Sequence, residues 1–169
     1  MREMPDSLKT RGYLTEADVL AGPGVPSAQR RAKGKVACIE CLQEIPCNPC
    51  ETSCKFGAIT VGSDITNLPR LDEDKCTGCT TCLPACPGQA IFIIDESMGD
   101  GRAQVSMPYE FRPLPREGDE VVALDRTGAE LGPARVVKVR GTEKMDQTVM
   151  VTLDLPQEWS MKARALRLK

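Results

Sequence analysis

Cysteine is the residue type through which this chain could do chemistry, and its nine copies fall in two dense runs. The first, CIECLQEIPCNPCETSC over residues 38–54, carries five thiols, and the second, CTGCTTCLPACP over 76–87, carries four. The spacing in the second run is Cys76-x2-Cys79-x2-Cys82-x3-Cys86-Pro87. From a tight loop, three thiolates two residues apart can reach three corners of one cubane, so this run reads as a [4Fe–4S] binding segment. Zinc ribbons also use C-x2-C units, but as separated pairs rather than three close thiolates followed by C-x3-C-P. Gly78 is expected to let the backbone approach the inorganic sulfides closely, with turned N–H groups stabilising an anionic cluster.

Composition removes most competing chemistries. The chain has no histidine, which excludes His-containing zinc sites, Rieske-type ligation, His-ligated haem and His-based acid–base catalysis. No G-x-G-x-x-G, P-loop or nucleophile elbow is visible, so flavin and nucleotide binding by this chain alone is not expected. The net charge of −2 is unevenly spread. Residues 1–35 carry seven Lys/Arg against four Asp/Glu, residues 36–95 three against eight, and residues 96–169 twelve against twelve. An acidic cysteine region argues against a nucleic-acid partner, because phosphate binding rests on Lys and Arg. The opening MREMPDSLKTRGYLTEADVL lacks an apolar core of signal-peptide length, and no run approaches the ~20 apolar residues of a membrane helix. The expectation is a cytoplasmic protein with reduced thiols and no membrane insertion.

The elements that must position the thiols divide the chain into three parts. Residues 1–35 read as an arm with short helices entered at Thr15 and at Ser27, lying on its own domain or on a partner, with a free tail as the alternative. Residues 36–95 contain a near-repeat in which a cysteine run leads into CKFGAITV in one copy and CPGQAIFII in the other. Between the copies, GSDITNLPRLDED reads as a loop or short helix. Aromatic residues are only 4% of the chain, so a unit of roughly 60 residues would have a thin apolar core and would lean on metal for stability. In residues 96–169 the period-two segments QVSMPYEF, DEVVAL, ARVVKVR, TVMVTLDL and ARALRL, separated by turn chemistry, predict a small all-β barrel. Trp159 is expected in its core or closing it, and Tyr109 and Phe111 in the core or at an interface.

Over residues 36–95 the chain resembles the two-cluster bacterial ferredoxins. The resemblance implies an α+β, ferredoxin-like βαββαβ dicluster domain with two [4Fe–4S] clusters that exchange their fourth ligands. The first run departs from that pattern. Cys47-Asn-Pro-Cys50-x3-Cys54 keeps the spacing of the second to fourth ligands, but Glu44 stands where the first is expected. If Cys41 serves, one loop grows to x5, every other spacing stays intact, and Cys38 is spare. If Cys38 and Cys41 both serve with Cys50 and Cys54, Cys47 is spare. The first arrangement gives Cys41, Cys47, Cys50 and Cys86 around cluster 1, and Cys76, Cys79, Cys82 and Cys54 around cluster 2. Lys55 replaces the proline that usually follows the fourth cysteine, either as a cation that raises a cluster potential or as a solvated surface charge.

The stretch GVPSAQRRAKGKVACIECLQEIPCNPCETSC also resembles small iron–sulfur proteins that accompany FAD-dependent dehydrogenases of amino acids, hydroxyproline or opines. That likeness implies an electron-transfer subunit of a hetero-oligomer, with no catalytic site of its own, and with FAD and NAD(P) or FMN held by partner subunits. The alternatives are a free dicluster ferredoxin and a non-redox, metal-bound interaction module.

Overall fold

The computed structural model describes residues 4–169; residues 1–3 of the expected arm lie outside the described residues. The arm forms α1 (Asp6–Arg11), α2 (Glu16–Leu20) and α3 (Ala28–Arg31). The second and third begin where the caps predicted. Thr15 accepts from the Asp18 N–H in a reciprocal capping box, and Ser27 accepts from the Arg30 N–H. Helix α1 was not foreseen, although Gly12 closes it in the left-handed conformation at φ 78°.

The cysteine region follows the order β1 (Val36–Ile39), α4 (Pro49–Ser53), β2 (Ile59–Thr60), β3 (Arg70–Leu71), α5 (Cys82–Ala85) and β4 (Ile91–Asp95). Strand β1 pairs antiparallel with β4, β2 pairs antiparallel with β3, and α4 packs on α5. The linker expected as a loop or short helix is a turn followed by β3, with the Thr66 N–H and hydroxyl both donating to Asp64.

The C-terminal strands are β5 (Arg102–Tyr109), β6 (Glu120–Leu124), β7 (Glu130–Arg140), β8 (Val149–Pro156) and β9 (Ala165–Leu168). They coincide with the period-two segments, but they do not close into a barrel. The sheet runs β1-β4-β5-β8-β7-β6-β9, antiparallel throughout, with β1 and β9 at its ends. Strand β4 is the cause: its free edge pairs with β5, so the strands after residue 100 extend the cysteine region's sheet instead of curling onto themselves.

Alternation along these strands builds the main core. Ala103, Val105, Met107 and Tyr109 of β5 face the same cluster as Val149, Val151, Leu153 and Leu155 of β8. Trp159 lies half-buried against this core and covers Gly132, where an added Cβ would come within 2.6 Å of the indole. Tyr109 belongs to the core, whereas Phe111 is 72% exposed and meets Tyr109 edge-on at 5.6 Å.

A second core binds the two regions together. Met145 and Met150, from the segment around β8, pack with Cys50, Cys82, Leu83, Ile91 and Ile93.

Candidate functional site

Strand β1 sets the geometry. Successive side chains of a strand point to opposite faces, so Ala37 and Ile39 face the cysteine core while Cys38 faces away. Cys38 is fully buried among Val19, Ile94 and Met161. Burial pushes its thiol up to about 11, against the pull of Arg164.

Eight other thiols line two cavities. One is bordered by Cys41, Cys47, Cys50 and Cys86, with Ile39, Ile45 and Ile91 around them. The other is bordered by Cys54, Cys76, Cys79 and Cys82, with Ala37, Phe56 and Ile93 around them. Each cavity draws three cysteines from one run and the fourth from the other. Cys38 borders neither.

The two copies of the repeat share local geometry where their fourth cysteines sit. Cys54 and Cys86 both follow a one-turn helix, with φ of −81° and −82°. The N–H of Ala58 donates to Cys54 Sγ at 3.3 Å, and the N–H of Ala90 donates to Cys86 Sγ at 3.4 Å. Between donor and acceptor, Gly57 and Gln89 both take positive φ, at 61° and 51°. A further N–H, from Ala37, reaches Cys76 Sγ at 3.4 Å. Such donors favour the anionic form of a sulfur ligand.

The thiols differ in acidity. Burial pushes Cys82 up to about 12 and Cys50 up to about 11, and it also raises Cys41. At Cys79 burial again acts upward, but hydrogen bonds from the Thr81 hydroxyl and N–H outweigh it and hold the thiol below its ordinary value. The Cys79 sulfur lies 2.9 Å from the Thr81 hydroxyl.

The arm fixes the second cysteine loop. Glu73 accepts from the N–H and hydroxyl of Ser27 at 2.6 and 2.8 Å, and Arg30 donates to the carbonyls of Glu73, Gly34, Lys35 and Cys76. Through these bonds the arm contacts its own chain. Gly78, expected to make room for sulfide, is needed for another contact: its φ is 65°, and a Cβ there would come within 2.4 Å of Lys35. Arg30 was not singled out from the sequence, because nothing in a short basic stretch marks which cation will reach the carbonyls of Glu73 and Cys76, 43 and 46 positions away. Glu44 and Lys55 are exposed.

The donor set fits a [4Fe–4S] group: four thiols border each cavity, N–H donors already point at three of the sulfurs, and the walls are apolar. Among the described residues, no three Cys, Asp or Glu lie close enough to hold a single metal ion. Nor, among them, is any helix long and apolar enough to cross a membrane.

Comparison with known proteins agrees with the site. The chain is 40% identical over 48 residues to one subunit of the Na(+)-translocating ferredoxin:NAD(+) oxidoreductase complex of Acetobacterium woodii, covering 28% of this chain and 14% of that protein. It is 33% identical over 99 residues to one subunit of the selenate reductase of Mesobacillus selenatarsenatis, covering 58% of this chain and 31% of that one. It is 28% identical over 89 residues to a probable iron-sulfur subunit of the Frd operon of Proteus vulgaris, covering 53% and 48%. The chain thus spans less than half the length of these curated relatives. No solved structure matches it. Residues 69–92 match the 4Fe-4S binding domain family, so this chain carries a 4Fe–4S domain and resembles, at its cysteine region, the iron–sulfur subunits of oxidoreductases.

Proposed function

We propose that the chain is the electron-relay subunit of a flavin-dependent dehydrogenase complex, holding two [4Fe–4S] clusters between a substrate-oxidising FAD subunit and a second acceptor. The observation that carries this reading is the crossed sharing of thiols between the two cavities. Cys41, Cys47, Cys50 and Cys86 would hold one cluster, and Cys54, Cys76, Cys79 and Cys82 the other. Bound there, such clusters accept and release single electrons, and four thiolate ligands leave no iron open to substrate. The chain's own groups then do three things. They hold Cys50 and Cys82 in two short helices with Cys54 and Cys86 at the helix ends, they direct the N–H groups of Ala37, Ala58 and Ala90 at ligand sulfurs, and they exclude water with an apolar wall.

In this reading residues 36–95 are the two-cluster unit of a cytoplasmic hetero-oligomer. FAD, and NAD(P) or FMN, belong to partner subunits. The arm and the extended sheet favour a resident subunit over a freely diffusing ferredoxin, which needs neither.

Anaerobically isolated chain should contain about eight irons and about eight acid-labile sulfides, as two cubanes require. On full reduction by two electrons, one per cluster, it should give the paramagnetic resonance spectrum of two interacting centres. One zinc in place of iron would contradict the proposal.

A further inference from the structure

Resting on the relay reading, we propose that the groove beside Cys79 is the port at which a redox partner docks, and that the partner presents an acidic protein surface there. Cys79 is the exposed one of the nine cysteines. Electron transfer weakens steeply with distance, and this sulfur is the exposed one of the set formed by Cys54, Cys76, Cys79 and Cys82.

The groove next to Cys79 is built from both regions of the chain. Thr80 and Thr81 of the second cysteine run form one wall, and Arg140, Thr142 and Lys144 form the other. The second wall is held in place from below: Met145 is buried in the same core as Cys50 and Cys82. Arg140 ends β7 and its guanidinium lies 3.5 Å from the Thr80 hydroxyl. The charged residues lining the groove are Arg140 and Lys144, both exposed, and among the described residues neither is in an ion pair.

These two cations stand against an acidic background, since residues 36–95 carry three Lys/Arg against eight Asp/Glu. A partner guided only by the cysteine region's own charge would be basic. The C-terminal sheet reverses the sign at the place where the thiol is open, and a cationic rim of this kind attracts and orients an acidic surface. This gives the extension a role in selecting the partner.

The test uses the full, cluster-loaded chain and two small haem proteins as probes, acidic cytochrome b5 and basic cytochrome c. Binding is measured calorimetrically with oxidised proteins. Electron transfer is followed after one-electron reduction of the chain, one electron leaving the reduced centre as one ferric haem becomes ferrous. Arg140→Glu/Lys144→Glu should weaken cytochrome b5 binding and slow its reduction by about tenfold at low ionic strength. The difference should collapse at high salt, and cytochrome c should not be weakened. Arg112→Glu/Arg116→Glu, which makes the same charge change at exposed positions outside the groove, should alter either rate less than twofold.

Equal effects of the two double variants, or none, would overturn the port. So would lost binding of anthraquinone-2,6-disulfonate with cytochrome b5 unaffected, which would make the groove a small-anion site. Absence of the clusters' broad visible absorbance from the wild-type chain would contradict the relay reading itself; intact absorbance with equal rates contradicts the port alone.

Discussion

Cys38 and Ile39 are neighbours on β1 whose side chains serve opposite faces of the sheet. Ile39 borders the cavity of Cys41, Cys47, Cys50 and Cys86, whereas Cys38 is sealed against Val19, Ile94 and Met161. One residue of strand register separates a position that can meet a ligand from one that cannot. Backbone periodicity thus sets Cys38 apart from the eight thiols that border the two cavities.

Iron content discriminates between the two arrangements of the first run. Cys38→Ser should leave about eight irons per chain, whereas Cys47→Ser should fall to about four, because in the proposed assignment only the latter removes a ligand of a four-iron cubane. The reverse pattern would show that Cys38 is the ligand and Cys47 the spare. Cys38→Ser should still cost about 1–3 kcal/mol of stability, since it places a hydroxyl among apolar side chains.

Alkylation offers a second view of the same thiol. With no exposed surface and its proton held up to about 11 by burial, Cys38 should resist iodoacetamide at pH 8 in the folded protein and react after denaturation. Peptide mapping reads the result. Rapid labelling of Cys38 in the native chain would contradict its placement.

Much of this site was legible before any coordinates. The spacing of Cys76, Cys79, Cys82 and Cys86 carries its own geometry, and the near-repeat CKFGAITV and CPGQAIFII places Ala58 and Ala90, whose N–H groups make matching contacts, at equivalent positions. The capping residues Thr15 and Ser27 also marked their helices, because a cap is a local hydrogen bond. Closure of the C-terminal strands was not legible. Alternation in QVSMPYEF says that one face is buried, but not that its edge partner is β4 of the cysteine region. The cationic wall at Arg140 and Lys144 was hidden for the same reason, since its neighbour Thr80 lies 60 positions away. What the segment VACIEC did contain, and what could have separated Cys38 from Cys41, is a strand period that places alternate residues on opposite faces.

A buried ionic cluster joins the cysteine region to the C-terminal strands. Glu40 accepts from Arg164 at 2.6 Å and from Arg126 at 2.7 Å, and Arg164 stacks over Phe92 at 4.7 Å. Burial pushes the Glu40 carboxyl up, but the two guanidinium groups outweigh it and hold it below its ordinary value. Glu40→Gln should destabilise by about 3–5 kcal/mol at pH 7, because it leaves buried cations uncompensated. A depressed folded-state value means that this stabilisation is complete above the ordinary carboxylate range and is lost as pH falls through the lowered value. Denaturant midpoints should thus show a wild-type advantage that is constant between about pH 6 and 8 and narrows below about pH 4.5. An advantage independent of pH throughout would contradict the ionic assignment.

Gly78→Ala tests the close approach of the second cysteine loop to Lys35. The substitution combines a left-handed backbone at φ 65° with a contact of 2.4 Å, so it should cost about 1–3 kcal/mol and hasten iron loss on exposure to chelator. Gly34→Ala is the comparison, because it also sits at positive φ, 128°, but meets nothing within 4 Å. Equal retention of iron by Gly78→Ala and wild type would show that the contact is dispensable.

The relay assignment itself is tested most directly by purifying the tagged chain anaerobically from its own host and recording the absorbance, iron content and co-purifying subunits of the product. The account predicts flavin bands and one or two larger subunits in fixed ratio to a chain with about eight irons. A colourless zinc protein, or a brown chain that comes through alone, would contradict it.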